Sequence, residues 1–249
     1  MFDAKVEKTK IVNFIRNYFS KNNLGGVVIG ISGGKDSSVV AGLFTEALGS
    51  ENVIGVSIPC YSNNSDREDA IKVANRFGFK LINMDITSVF DSFVEEAKKL
   101  DDFIDADDAN INLKPRLRMS TLYYIAQMYS KRFNKVFVVA GCGNKSEEYV
   151  GYFTKGGDSV SDIKVISDLF VDEVIKLGEE LGVPEDVLYK APSDGLSGMS
   201  DEEKLGFSYD DVKKVVLGQE SDENIKSMIE NRHVCNSHKF NIPEYKRCD

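Results

Sequence analysis

The chain has 249 residues, 42% hydrophobic and 29% charged, which is enough apolar content for one large domain with a real core. Its 40 acidic side chains against 31 basic ones leave a formal charge of −9, a balance that speaks against a nucleic-acid partner, whose phosphates call for clustered cations. No run approaches the roughly 18 apolar residues of a membrane span, the opening MFDAKVEKTK lacks the apolar run of a signal peptide, and Cys60, Cys142, Cys235 and Cys248 show no paired ligand spacing, so they read as reduced thiols of a cytoplasmic protein.

Ile11, Val12, Phe14, Ile15, Tyr18 and Phe19 recur at helical spacing and predict an amphipathic helix over 9–22, which Gly25 and Gly26 break. Val27–Ile31 is a continuous apolar run, as expected of a strand buried on both faces. GISGGKDSS (30–38) follows, and VVAGLFTEAL (39–48) reads as a helix. The unit then repeats. Val53–Ile58 predicts a second strand closed by Pro59, and SDREDAIKVANRFG (65–78) a helix with Ser65 as N-cap, Glu68 completing a capping box and Gly78 as its stop. Lys80–Ile86 is a third strand, and helices are expected near 88–100 and 113–132, with the acidic stretch 101–110 as a surface loop between them. Val136–Ala140 is a fourth strand.

Beyond residue 145 the strand signal fades into Gly-, Ser- and Asp-rich loops at 156–162 and 192–202, with helices near 170–182 and 220–234. Strands alternating with helices predict an α/β fold, a doubly wound parallel sheet of Rossmann-like kind. The expected organisation is a single domain over 1–249, with a core at about 20–150 and a C-terminal part at about 151–249.

GISGGKDSS lies directly after a buried strand and before a helix, so it directs backbone N–H groups and a helix N-terminus at whatever approaches the strand ends. Gly33 and Gly34 have no side chains to block a phosphate, and Ser32, Ser37 and Ser38 add hydroxyl donors. Asp36 is out of place in an anion cradle unless a Mg²⁺ lies between carboxylate and phosphate. The spacing fits neither GxxxxGK[ST] nor GxGxxG. A second constellation, GCGNKSE (141–147) and then GYFTKGGD (151–158), follows the fourth strand, and open α/β sheets bind ligands at the carboxyl ends of their strands. Both segments should therefore line one crevice, with Glu147 as a second carboxylate opposite Asp36. Having only His233 and His238, the chain gives little support to a His-based triad.

SGGKDS resembles the pyrophosphate loop of the N-type ATP pyrophosphatases, which implies an adenine nucleotide alpha hydrolase-like fold and cleavage of ATP to AMP and pyrophosphate. Within that superfamily the chain resembles the ammonia-dependent NAD synthetases in five stretches, in order: the loop at 30–38, NLKPRLRM (112–119), GCGNKSE with GYFTKGGD, KAPSDGL (190–196) with the DE and LGFSYD that follow, and SHK (237–239). The resemblance implies ATP as co-substrate, contacted by Gly30, Ile31, Ser32, Gly33, Gly34, Lys35, Asp36, Ser37, Cys142 and Ser193. It implies Mg²⁺ held by Asp36 and Glu147, and deamido-NAD held by Arg116, Lys155, Asp162, His238 and Lys239. Asp36 and Lys155 are the expected catalytic residues. The implied reaction adenylates the nicotinate carboxylate and then admits ammonia, either free or from a separate glutaminase, because the chain has no room for a nitrilase-like domain. Family members are homodimers, and the stripe LYYIAQMY (122–129) suits either such an interface or the core.

Three positions depart from the family. Cys142 stands where many members have Thr, Val171 in the stretch Asp168–Val171 where many have an ATP-contacting Lys, and Lys35 where Ile, Val or Gln is common. Lys35 could thus restore the cation that Val171 removes. The departures leave room for a paralogue adenylating another carboxylate or a tRNA base, and for a pseudoenzyme that only senses nucleotide.

Overall fold

The computed structural model describes residues 2–190, 201–240 and 243–247. Helix α1 (Ala4–Lys21) starts five residues before the predicted stretch, because the Asp3 side chain accepts a hydrogen bond from Val6 N–H and caps it; Ile11, Val12, Ile15 and Phe19 form its buried stripe. Strand β1 (Leu24–Gly30), helix α2 (Lys35–Leu48) and strand β2 (Val53–Ser57) follow as expected. Helix α3 (Asn64–Phe77) ends at Gly78, whose φ of +74° is the left-handed conformation of a helix stop. Its start differs from expectation. Asn63 is the N-cap, so Ser65 falls inside the first turn, and the predicted capping box does not form.

Strand β3 (Lys80–Asn83) is shorter than predicted, although Met84 and Ile86 still donate backbone bonds to the Ser57 and Pro59 carbonyls. Pro59 has no N–H to return, so the ladder cannot continue. Helix α4 (Thr87–Ala97) and helix α5 (Asp107–Phe133) come next. The latter takes up part of the expected acidic loop: Asp107 and Asp108 sit in its first turn, where carboxylates meet the positive end of the helix dipole. Pro115 lies inside this helix, and α5 runs through it.

After strand β4 (Val136–Gly141) come helix α6 (Lys145–Val150) and strand β5 (Ile163–Lys164), whose two residues are too few to leave a pattern in the sequence. Helices α7 (Val171–Leu181), α8 (Glu185–Leu188), α9 (Asp201–Leu205), α10 (Tyr209–Val216), α11 (Glu223–Cys235) and α12 (Ser237–Phe240) complete the described chain.

All strand pairs are parallel, in the order β3-β2-β1-β4-β5. The alternation along β1 sorts two cores. Val27 and Ile29 join α1, α2, α3 and α7 on one face, whereas Val28 joins Phe90 of α4 and Ile125, Ala126 and Tyr129 of α5 on the other. The stripe at 122–129 is therefore divided: Ile125 and Tyr129 are core, while Tyr124 and Met128 point outward. A third cluster holds Val150, Leu205, Phe207, Tyr209, Val212 and Ile229, fixing α9 to α11 beside α6. Strand order reverses between β1 and β4, which opens a crevice at the carboxyl ends of those strands. Among the described residues no helix is long and apolar enough to cross a membrane.

Candidate active site

A cavity of about 480 Å³ opens at that crevice, lined by the loop Gly30–Ser37, by Cys142 and Glu147, and by Arg118, Lys190 and Asp201. A second cavity of about 610 Å³, at the amino ends of β1 and β4, has Lys135 as its single ionisable lining residue. The smaller cavity gathers the ionisable side chains, among them Lys35, Asp36, Glu147, Arg118 and Lys190.

The loop is held from beneath. Gly33 has φ +82°, and a Cβ there would lie 2.4 Å from the Asp66 carbonyl oxygen, so only glycine fits. The serine hydroxyls brace the turn as well as offering donors. Ser37 Oγ accepts from Ser32 N–H at 3.3 Å and donates to the Gly34 carbonyl at 3.2 Å, while Ser38 Oγ donates to the same carbonyl at 2.7 Å. Gly34 caps α2 without a side chain, which leaves the helix N-terminus open to the cavity.

Asp36 and Glu147, 111 positions apart in sequence, are brought together by Asn144. This fully buried residue donates from Nδ2 to Asp36 Oδ1 at 3.0 Å. Its Oδ1 accepts from Glu147 N–H at 3.0 Å, and its own N–H donates to Glu147 Oε2 at 3.3 Å, forming the capping box of α6. Burial, and then the neighbouring Asp36, push the Glu147 carboxyl well above the usual carboxylate range; Lys35 and the Asn144 N–H oppose this. Cys142 lies beside the pair with its thiol pushed up by burial and by both carboxylates, so it stays protonated, a weak donor. Tyr209 reaches the same region from α10. Its hydroxyl is buried and has no hydrogen-bond partner among the described residues, and burial and the nearby Glu147 and Asp201 raise its pKa.

Four of the five residues expected to meet a dinucleotide are joined by bonds to backbone carbonyls close to the cavity, although none of the four lines it. Arg116 Nε donates to the Lys155 carbonyl at 3.3 Å, and Lys155 Nζ to the His238 carbonyl at 2.8 Å. Lys239 Nζ donates to the Gly151 and Phe153 carbonyls at 2.7 and 2.9 Å, next to the lining residues Tyr152 and Phe153. Asp162 stands apart beneath β4, where its Oδ2 accepts from Val139 N–H at 2.7 Å and its Oδ1 from Tyr123 OH at 3.1 Å. Val171 packs against the third cluster rather than lining the cavity. Ser193 lies outside the described residues.

The structure adds cations that motif reading left unassigned. Arg118 lines the cavity and donates from Nε to the Ile58 carbonyl at 3.1 Å. Residues two apart on a helix stand about 200° apart, so Arg116 and Arg118 cannot serve the same wall. Lys190 also lines the cavity and ties Asp66 to Asp69, at 2.8 and 2.6 Å. The N-x-x-E spacing of Asn144 and Glu147 was the one available sign of the carboxylate clip.

Sheet order, loop and cavity define a Rossmann-like nucleotide-binding protein of the adenine nucleotide alpha hydrolase fold. The chain belongs to the NAD synthase family, whose model matches residues 7–247. It is 38% identical over 240 residues, 96% of either chain, to the NH(3)-dependent NAD(+) synthetase of Carboxydothermus hydrogenoformans. Among solved structures it is similar to the NMN synthetase of Francisella tularensis, with TM-score 0.89 and 28% identity over the whole of both chains. It is also similar to the NH3-dependent NAD synthetase of Campylobacter jejuni, with TM-score 0.79 and 29% identity over 98% of this chain and 100% of the other.

Proposed function

We propose that the chain amidates the nicotinate carboxylate of deamido-NAD with ammonia at the expense of ATP, as an ammonia-dependent NAD synthetase. The observation that carries this reading is the Asn144 clip, which sets Asp36 and Glu147 together beside the glycine loop. A carboxylate oxygen of the substrate attacks the α-phosphorus, the bond to the β-phosphate oxygen breaks, and pyrophosphate leaves. Ammonia then attacks the acyl carbon, AMP leaves, and nitrogen sheds a proton. The chain's part is positioning and charge: loop N–H groups and the start of α2 hold the phosphates, and Lys35 and Arg118 offset their charge. Arg116, Lys155, His238, Lys239 and Asp162 are assigned to the dinucleotide, with Lys155 as its catalytic cation and Asp36 as the catalytic carboxylate.

The residues present fit Mg²⁺. Asp36 and Glu147 are held close enough to raise the Glu147 pKa, a repulsion that a hard divalent cation relieves. Among the described residues no group of three His, Cys, Asp or Glu converges, so phosphate oxygens and water would complete the shell. The ion would supply charge neutralisation on the phosphates. Cys142 and Ser193 complete the ATP contacts. Tyr124 and Met128 expose apolar surface on α5 in support of a homodimer. The free Cys60, Cys142 and Cys235 suit the cytoplasm, where ATP and ammonia are available.

A second reading, amidation of the corresponding mononucleotide, is favoured by the full-length superposition on the Francisella protein. One assay tests both: purified protein with ATP, Mg²⁺, ammonium and either deamido-NAD or nicotinate mononucleotide, following amide product and pyrophosphate. Amide from the dinucleotide at the higher kcat/KM is expected. Preference for the mononucleotide selects the second reading, and no amide or substrate-dependent pyrophosphate from either refutes both.

A further inference from the structure

Lys35 opens α2 with only 6% of its surface exposed, and its ammonium lies 3.2 Å from Asp36 Oδ2. At that distance the ammonium and the carboxylate form an ion pair largely shielded from solvent. The oxygens of the acidic pair are also largely committed. Asp36 Oδ1 and Glu147 Oε2 accept from Asn144, and Lys35 takes Asp36 Oδ2, an oxygen that a divalent cation at this pair would need. Lysine holds its charge on a flexible four-carbon stem, so the ammonium can move while the backbone of α2 stays in place.

We propose that Lys35 is a resident counter-ion of the Asp36–Glu147 pair that competes with the divalent cation, so that the cation enters only together with the nucleotide, whose phosphates take over the ammonium. This rests on the reading of the cavity as an ATP site, and it gives the site an order of binding. A metal ion alone meets an occupied pair; a metal–nucleotide complex brings its own partner for Lys35.

Mn²⁺ serves as the probe, titrated into whole protein without nucleotide and followed by electron paramagnetic resonance. Lys35→Met is expected to bind Mn²⁺ at least about tenfold more tightly than wild type, since one positive charge has left the pair. Lys35→Arg should stay as weak as wild type, and adding Glu147→Gln to Lys35→Met should abolish the gain. Equal Mn²⁺ affinity in wild type and Lys35→Met overturns the proposal. Should Lys35→Met not fold, wild type decides: Mn²⁺ should bind at least about tenfold more weakly to the protein alone than to the protein saturated with a non-hydrolysable ATP analogue. Equally tight Mn²⁺ binding with and without the analogue overturns the idea. None of these readouts requires turnover, so their failure leaves the amidation reading intact, and failure of the amidation assay leaves them interpretable.

Discussion

Replacing Asn144 by Asp isolates the contact that joins the two halves of the site. Asp caps a helix as well as Asn does, so the bond from Glu147 N–H is kept. What is lost is the Nδ2 donor, and a third carboxylate now faces Asp36 at about the 3.0 Å of the present hydrogen bond. A hydrogen bond to a charged group contributes about 1.5–3 kcal/mol, and the added repulsion is relieved only by proton uptake, at about 1.4 kcal/mol per unit of pKa shift. The expected loss at neutral pH is about 3 kcal/mol. At about 2–4 °C per kcal/mol for a chain of this size, the midpoint should fall by roughly 6–12 °C.

Asn144→Ala, which loses the donor and a cap contributing about 1 kcal/mol, should fall by a similar amount. The two variants differ in pH dependence. The Asp defect should shrink more steeply than the Ala defect as pH falls through the carboxylate range, because protonation also removes the added repulsion. Thermal and urea unfolding across pH, with kcat/KM for amide formation, measure this. An Asn144→Asp protein within about 1 kcal/mol of wild type at neutral pH, or two parallel pH profiles, refutes the clip.

Gly33→Ala should lower the thermal midpoint and raise the KM for ATP far more than it lowers kcat, because a left-handed alanine costs about 1–2 kcal/mol before its clash with the Asp66 carbonyl is counted; wild-type ATP kinetics would exclude this. Glu147 has a folded pKa raised by burial and by Asp36, so the native state keeps a proton that the unfolded chain has released. Its stability therefore falls as pH rises from the ordinary carboxylate value to the raised one. Glu147→Gln should match wild type at acid pH, exceed it at neutral pH and lose amide synthesis; urea unfolding in EDTA would disprove this by giving two superimposable pH profiles. Lys239→Met removes both bonds to the Gly151 and Phe153 carbonyls and should raise the KM for the nicotinate substrate while leaving that for ATP unchanged. Equal rises in both would show a general loss of structure instead.

Local pattern carried much of this protein in the sequence alone. Four apolar runs, the first three each followed by a helical stripe, are visible within short windows, and they sufficed for a parallel doubly wound sheet and for placing both motifs at its carboxyl edge. Gly78 as a helix stop was legible for the same reason. What eluded that reading lacked either length or locality. Strand β5 has two residues and no period. The start of α5 among aspartates ran against composition, and the helix dipole explains it. Arg116 and Arg118 look equivalent in the motif, but the turn of the helix sends one to the Lys155 carbonyl and the other into the cavity.

Only the tertiary structure decided what surrounds Asp36 and the side chains near it. Asp36 meets Asn144 across 108 positions, Lys190 meets Asp66 across 124, and Lys155 meets the His238 carbonyl across 83. Such partners are chosen by the packing of α2, α3, α6 and the C-terminal helices against one sheet. A side chain's charge is written in the sequence, but the groups that compete for it are not.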